Sequence, residues 1–169
     1  MNTISNIIFF VLTAIIIIRF ISSYIQNSKL EGVTLPNTTL QQITTSSAQL
    51  ITLNKQLKPP LILLFWSINC PPCIVEMNRY TSAVKSNEIP PNKLVAINIG
   101  DSPKALLKYL KQHTLPMPLY RDPNNQLAAL FKLNATPLVV HINKQGHASW
   151  ISTGISPLGI IKAKELLSK

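Results

Sequence analysis

The sequence predicts an α/β domain in which helices flank a mixed central β-sheet, with an apolar segment before that domain. Two observations support this prediction. Strand-like apolar runs alternate along the chain with helix-like segments, and the chain closes with a hairpin pattern and a last helix. The length of 169 residues suits one domain of ordinary size with an appendage.

The N-terminal segment, residues 4–25, is long enough to cross a hydrocarbon core of about 30 Å as a helix. Residues 4–18 carry no charge. A cleavable signal peptide is the alternative, but no Lys or Arg precedes the apolar run and no Ala-x-Ala pattern follows it. We therefore predict an uncleaved transmembrane anchor over residues 1–25, a polar tether over 26–32 and one folded domain over 33–169.

Strands are predicted where short apolar or alternating runs lie between turn residues. LILLFW is apolar throughout, as expected of a strand that is buried on both faces. The first two strands are predicted to form a hairpin, and so are the last two. The predicted strands are TLQQIT (39–44), AQLITL (48–53), LILLFW (61–66), KLVAINI (93–99), PLYRD (118–122), PLVVHIN (137–143) and HASWIST (147–153).

Each predicted helix begins at a proline, a residue that suits the first turn because it has no backbone N–H to satisfy. Ser102 and Ser156 precede two of these prolines and are good N-cap residues. The predicted helices cover residues 71–86, 103–113, 123–131 and 157–169.

The excess of basic residues, sixteen Lys and Arg against six Asp and Glu, gives a net charge of +10. Lys104, Lys108 and Lys111 share one face of a predicted helix. The chain has no basic run and no aromatic residues interleaved with basic ones, as nucleic-acid binding usually requires. We therefore expect no nucleic-acid partner, and we interpret the lysines as a solvated basic surface that suits a position near anionic lipid.

The only two cysteines, Cys70 and Cys73, flank two prolines where a predicted strand meets a helix. Free backbone N–H groups and the helix dipole at a helix N-terminus favour thiolate over thiol. They would lower the pKa of Cys70 and make it a nucleophile, while Cys73 could attack a mixed disulfide from one turn away. A structural disulfide would close almost no loop, and zinc usually needs four ligands, which the sequence does not offer. The pattern predicts a redox-active pair.

The segment F-W-x-x-x-C-P-P-C-x-x-E resembles the active-site segment of thioredoxin-like proteins, specifically of the membrane-tethered TlpA/ResA group. That group includes cytochrome c maturation reductases and related thiol-disulfide interchange proteins. The similarity extends over residues 33–169, where Asn134-Ala-Thr-Pro137 resembles the group's cis-proline loop. The resemblance implies a thioredoxin-like fold and a thiol-disulfide oxidoreductase of the protein-disulfide reductase type. Cys70 would be the attacking thiol and Cys73 the resolving thiol.

Four further residues receive roles from the resemblance. Pro137 would be the cis-proline that faces the cysteines, and Thr136 would offer backbone groups to an extended substrate. Trp66 would shield the disulfide at the substrate-binding surface, and Glu76 would relay a proton to or from Cys73. Three of them have a plainer alternative: Pro137 as a strand boundary, Trp66 as core and Glu76 as an exposed helix residue.

Two positions depart from the group's pattern. Asn69 stands where many relatives have a second tryptophan, a difference that could alter partner recognition. Asn78 stands where many have proline, which puts the group's usual helix kink in question.

The resemblance implies no cofactor beyond the Cys70–Cys73 disulfide. It implies client proteins that carry disulfides or thiols, and a transmembrane thiol electron donor. It also implies a single-pass protein of the inner membrane, held through residues 4–25, with its domain in the periplasm or otherwise outside the cytoplasm. Arg19 and Lys29 follow most of the apolar segment and, by the positive-inside rule, favour the opposite orientation.

Two functions remain open from the sequence. Reduction or dedicated interchange is favoured over DsbA-type oxidation, because the 37 positions from Ile99 to Thr136 leave too little chain for that group's helical insertion. The alternative is a metal- or haem-delivery module that uses the two thiols as ligands.

Overall fold

The computed structural model describes residues 3–44, 48–53 and 57–168. The outer limits of the predicted anchor and domain, Met1, Asn2 and Lys169, lie outside the described residues. Within the described ranges, the strands are β1 (Thr39–Ile43), β2 (Ala48–Thr52), β3 (Leu61–Trp66), β4 (Leu94–Asn98), β5 (Leu119–Arg121), β6 (Leu138–Ile142) and β7 (Ala148–Thr153). The helices are α1 (Thr3–Ser28), α2 (Pro71–Lys85), α3 (Pro103–Gln112), α4 (Gln126–Leu130) and α5 (Gly159–Ser168), with a short 3-10 turn at Pro91–Lys93.

The strands form one mixed sheet in the order β2-β1-β5-β4-β3-β6-β7. The central strands β3, β4 and β5 are parallel, whereas β1, β2, β6 and β7 run antiparallel to their neighbours. Every residue of β3 is buried, because β4 and β6 cover its edges and helices cover its faces. The predicted mixed sheet, its flanking helices and both hairpins are confirmed.

The sheet divides the interior into two cores, because successive strand residues point to opposite faces. On one face, Leu61, Leu63 and Phe65 of β3 pack with residues of α4 and the segment before β1. On the other face, Ile62, Leu64 and Trp66 pack with residues of α2, α3 and α5. Both cysteines belong to the second core, so the motif lies on the face that α2 shares with α5.

Two predicted helices begin later than expected. The Asp122 carboxylate accepts hydrogen bonds from the backbone N–H groups of Gln126 and Ala128, and Asn125 has a left-handed backbone with φ of 53°. Residues 123–125 therefore form a turn, and α4 starts only at Gln126. Similarly, α5 begins at Gly159, two residues after Pro157. By contrast, α2 runs through Asn78 as one continuous helix.

Residues 26–32, predicted as a polar tether, contact the folded domain at three positions. Leu30 is buried in the first core, and the Gly32 N–H donates to the Ala148 carbonyl over 2.7 Å. Thr153 of β7 also donates to the Asn27 side chain. The transmembrane anchor predicted over residues 1–25 is not supported: among the residues described, no helix has both the length and the apolar character needed to cross a membrane.

Candidate active site

The two cysteines form a disulfide at the N-terminus of α2, with their Cα atoms 5.2 Å apart. Cys70 is the N-cap residue, and its Sγ accepts a hydrogen bond from the Cys73 N–H over 3.2 Å. Pro71 follows at the first helical position, where a missing N–H costs nothing. Cys70 keeps 9% of its surface exposed, whereas Cys73 is fully buried. Of the two cysteines, only Cys70 therefore has surface that a partner can reach.

The cis-proline loop lies directly against Cys70. The Thr136–Pro137 peptide bond is cis, as the resemblance implied. The Thr136 hydroxyl donates to Cys70 Sγ over 3.4 Å, and the Thr136 carbonyl oxygen lies 3.5 Å from the same sulfur. Pro137 is buried, and its carbonyl accepts from the Gly154 N–H over 2.8 Å. The structure thus brings Cys70, Thr136 and Pro137 together, with the chain after β7 beside them.

Trp66, the last residue of β3, is part of the core. It has no exposed surface, and its ring packs on that of Tyr109 in α3 with centroids 5.1 Å apart. Its indole N–H has no hydrogen-bond partner among the described residues. A side chain without exposed surface cannot contact a client in this structure, so the predicted substrate-binding role of Trp66 is contradicted. The plainer alternative, a core residue at the end of a strand, fits.

Glu76 lies one helical turn after Cys73 on the buried face of α2 and has no exposed surface. The alternative of an exposed helix residue is therefore wrong. Its Oε2 accepts from Arg79 Nη1 over 2.7 Å, whereas its Oε1 has no partner among the described residues. The neighbouring Tyr80 hydroxyl is also buried, and within the described ranges it has no hydrogen-bond partner. Burial, with the Glu76 charge as a second cause, raises the pKa of Tyr80.

Arg79 is a site residue that the sequence analysis missed. Besides the ion pair with Glu76, its Nη1 donates to the Ser156 carbonyl over 2.6 Å and its Nη2 to the Pro157 carbonyl over 3.4 Å. Arg79 therefore joins α2 to the loop before α5. A signal was present in the sequence, since residues three apart face each other on a helix and opposite charges at that spacing pair readily.

Asp101, also missed, holds the loop before Cys70. Its Oδ2 accepts from the Ile68 N–H over 2.8 Å and from the Asn98 side chain over 2.7 Å. Arg121 in turn donates from Nε to the Asp101 carbonyl over 2.8 Å. These contacts fix the approach of the chain to the motif. No local pattern signals them, because Asp101 and Ile68 are 33 positions apart in the sequence.

A metal site at the cysteines would need further ligands beside the two sulfurs. In the part of the chain that the structure describes, no group of three or more His, Cys, Asp and Glu side chains is placed to hold a metal ion. Thiol-disulfide exchange, in contrast, needs only a reachable sulfur and a second one within bonding distance. The arrangement at Cys70 and Cys73 provides both.

The family model described as the AhpC/TSA family matches residues 32–151, which is 120 of the 169 residues. The chain is 25% identical to the thiol-disulfide oxidoreductase ResA of Bacillus subtilis (strain 168) over 124 residues, or 73% of this chain and 68% of ResA. It is 26% identical to sporulation thiol-disulfide oxidoreductase A of the same organism over 107 residues, or 62% of this chain and 64% of that protein.

Among solved structures, StoA from Bacillus subtilis is similar, with a TM-score of 0.59 and 20% sequence identity. The likeness covers 78% of this chain and 99% of that structure. It supports the thioredoxin-like fold that was predicted for the domain, and the two sequence relatives support the predicted ResA type. The match over residues 32–151 shows that the chain belongs to the AhpC/TSA family, and its Cys70–Cys73 disulfide gives it the chemistry of a thiol-disulfide oxidoreductase.

Proposed function

We propose that this protein is a ResA-like oxidoreductase that reduces or exchanges disulfides of client proteins outside the cytoplasm, while attached to a membrane. The observation that carries the proposal is the disulfide at the N-terminus of α2, in which only Cys70 is reachable and the Thr136–Pro137 loop lies against it. The names of the two sequence relatives agree with this chemistry.

The first half-reaction reduces the disulfide. A thiolate of the electron donor attacks Cys70 Sγ, because Cys73 is buried. The Cys70–Cys73 bond breaks, Cys73 leaves as a thiolate and takes up a proton, and a mixed disulfide joins the donor to Cys70. The donor's second thiol loses its proton and attacks the mixed disulfide, which releases Cys70 as a thiolate. Two electrons have then moved from the donor to the pair.

The second half-reaction passes these electrons to the client. The Cys70 thiolate attacks a client disulfide, and one client sulfur leaves as a thiolate and is protonated. Cys73 then loses its proton and attacks Cys70 Sγ, which re-forms the disulfide and releases the second client sulfur. The hydrogen bonds that reach Cys70 Sγ, from the Cys73 N–H and the Thr136 hydroxyl, would stabilise its thiolate.

We assign the proton exchange with Cys73 to Glu76. Both side chains are fully buried on one face of α2 and lie one turn apart, where bulk water does not reach. A buried thiol then needs a nearby carboxylate or an ordered water for proton transfer. Glu76 Oε1 has no hydrogen-bond partner among the described residues, so this oxygen is free for the task.

Attachment to a membrane is supported by the surface of α1. A helix whose large apolar side chains are exposed on all sides is stable only where another apolar phase covers it. Phe9 and Phe10 are 65% and 68% exposed. The other large apolar side chains exposed on α1 are Ile7, Ile8, Val11, Leu12, Ile15, Ile17, Ile18 and Ile21.

A transmembrane thiol donor follows from the proposed compartment. Compartments outside the cytoplasm are oxidising, so an enzyme that reduces disulfides there needs electrons from the other side of the membrane. Cytochrome c maturation is the process that the resemblance to the TlpA/ResA group suggests, and it is part of this proposal.

Trapping of partners tests the chemistry. In a Cys73→Ala variant, the mixed disulfide on Cys70 cannot resolve, so clients and donor should accumulate as adducts that dithiothreitol releases. The matched Cys70→Ala variant should trap far fewer, because Cys73 is buried. Absence of adducts, together with stoichiometric metal on the purified protein, would instead support metal or haem delivery.

Protease treatment of intact spheroplasts tests the location. The domain, residues 33–169, should be digested from outside, and protection of it would contradict the proposed side. Attachment through α1 is tested with Phe9→Arg/Phe10→Arg, which should release the protein from the membrane fraction. Leu50→Arg is the control, since Leu50 of β2 is also exposed, at 62%, but lies outside α1.

A further inference from the structure

We infer that Arg79 is a positioning residue for the thiol-disulfide reaction. It holds Glu76 so that Oε1 remains free for the exchange with Cys73, and it fastens Glu76 to the loop that adjoins the cis-proline. The inference rests on the proposed function, in which Glu76 exchanges the proton of Cys73.

Arg79 fixes the Glu76 carboxylate through Glu76 Oε2. Arg79 Nη1 binds this oxygen over 2.7 Å, and the guanidinium also donates to the carbonyls of Ser156 and Pro157 over 2.6 Å and 3.4 Å. A guanidinium carries its N–H groups in one rigid plane. Two backbone carbonyls therefore fix the plane of Arg79, and Arg79 in turn fixes the orientation of the Glu76 carboxylate.

Glu76 Oε1 is enclosed by the backbone of α5. A Cβ atom on Gly159 would lie 3.4 Å from Oε1 and 2.9 Å from the Tyr80 hydroxyl, so the backbone of α5 closes this side of the carboxylate. Both oxygen atoms are buried without a hydrogen-bond partner among the described residues. A buried oxygen without a partner is costly for a fold. Its presence one turn from Cys73 is accounted for if it acts in the reaction.

Residues 154–158 form the connecting loop between β7 and α5, and this loop contacts both Pro137 and Arg79. At its start, the Gly154 N–H donates to the Pro137 carbonyl over 2.8 Å. Near its end, the Ser156 and Pro157 carbonyls accept from Arg79. The connecting loop therefore links the cis-proline on one side of the disulfide to Glu76 on the other. Arg79 contacts both Glu76 and the connecting loop.

The competing account is that Arg79 merely stabilises the packing of α2 against the chain before α5. The two accounts differ in one respect. A positioning residue acts through Glu76, so its removal has no further effect on the reaction once Glu76 is gone. A residue that only stabilises the packing would affect the rate to the same degree in either background.

The test is a double-mutant cycle on the full chain in detergent micelles, with Arg79→Gln, Glu76→Gln and the double variant. Reduction of the disulfide by dithiothreitol is followed in stopped flow from about pH 5 to 9, the range in which thiols and carboxyls titrate. We expect Arg79→Gln to slow reduction about ten- to a hundredfold, the loss that misplacement of a catalytic group causes. Its pH profile should approach that of Glu76→Gln, and the double variant should be no slower than Glu76→Gln alone.

Two further variants separate positioning from folding. Arg79→Lys keeps the positive charge but not the planar fork, so it should recover part of the rate and carries the test if Arg79→Gln does not fold. Lys164→Met is the matched control, because the Lys164–Glu88 ion pair of 2.9 Å also joins α5 to the α2 side of the domain. This control should leave the rate and the pH profile unchanged.

The outcomes are distinct. If Glu76→Gln changes neither the rate nor the profile, both the proton exchange and this inference fail. If Glu76→Gln slows the reaction but Arg79→Gln slows it equally in both backgrounds, only this inference fails. An Arg79→Lys variant with the wild-type rate and profile, where Arg79→Gln is unfolded, also overturns it.

Discussion

Glu76 and His141 are two of the buried polar side chains on the sheet face covered by α2 and α5, and they differ in whether they are paired. Glu76 is close to the disulfide and binds Arg79. His141 of β6 lies opposite Ile62, four residues from Trp66 along β3, which corresponds to about 13 Å. Its Nε2 is buried and has no hydrogen-bond partner among the described residues. The buried titratable group near the disulfide therefore has a charged partner, whereas Nε2 of the group at the far end of the same face has no partner among the described residues.

The surroundings of His141 explain the difference. Its ring packs on Trp150 with centroids 4.6 Å apart, and it borders a cleft of about 390 Å³ that Lys162 and Glu165 also line. Burial, with the Lys162 charge as a second cause, lowers the pKa of His141 to about 3. A neutral imidazole can be buried as packing material, whereas a buried carboxylate in an ion pair depends on its partner. Glu76 therefore depends on Arg79, whereas His141 is buried in its neutral form.

The largest expected effect is the difference in turnover between a variant at the disulfide and a variant at His141. Cys70→Ser removes the only reachable sulfur, so turnover in an insulin reduction assay should fall by about 10³-fold or more. His141→Leu, at the far end, should keep activity within about twofold of wild type, because no step involves it. Loss of activity in His141→Leu with an intact fold would show that the two ends are coupled.

The next effect is on acid stability. Between the unfolded pKa of about 6.5 and the folded value of about 3, the unfolded chain binds a proton at His141 that the folded chain does not. Stability from this group is complete above about pH 6.5 and falls as pH decreases, by about 1.4 kcal/mol per pH unit. At pH 4.5 the loss is about 3 kcal/mol, and His141→Leu should abolish it. Urea unfolding at pH 7 and 4.5 gives the free energy of unfolding of the wild type and of His141→Leu. An equal loss in both proteins between the two pH values would contradict this role of His141.

At pH 7, in contrast, substitution of Glu76 should cost more stability than substitution of His141. Glu76→Gln breaks the ion pair and leaves Arg79, which is 30% exposed, with only its carbonyl acceptors. We expect the free energy of unfolding at pH 7 to fall by about 1.5–3 kcal/mol, the usual range for a hydrogen bond to a charged group. His141→Leu at the same pH should cost less, because the buried Nε2 of His141 has no hydrogen-bond partner among the described residues. Equal costs for the two variants would remove the contrast between the two ends.

The smallest effect is expected at an ion pair outside the buried face. Lys164 and Glu88 are both well exposed, so water screens their attraction. Lys164→Met should shift the Tm by less than about 2 °C. A larger shift, measured by circular dichroism, would mean that exposed ties between α5 and the α2 side contribute as much as the buried one.

Much of this architecture follows from the sequence alone, because it depends on near neighbours. The alternation and apolar runs that predict β3, β4 and both hairpins act within a few residues. The position of Cys70 at a helix N-terminus follows from the proline after it and the strand before it. The start of α4 is different, since the Asp122 carboxylate and the left-handed Asn125 delay it in a way that propensities do not reveal.

Only the tertiary structure decides which of these residues meet. Thr136 reaches Cys70 across 66 positions of sequence, and Arg79 reaches Ser156 across 77. Such contacts depend on the order of strands in the sheet and on which helix covers which face, and no short segment encodes either. The same packing buries Glu76 completely, although its local sequence is equally compatible with an exposed position. The redox pair and the elements that carry it follow from local sequence, whereas the packing of α5 against α2 sets the surroundings in which the pair works.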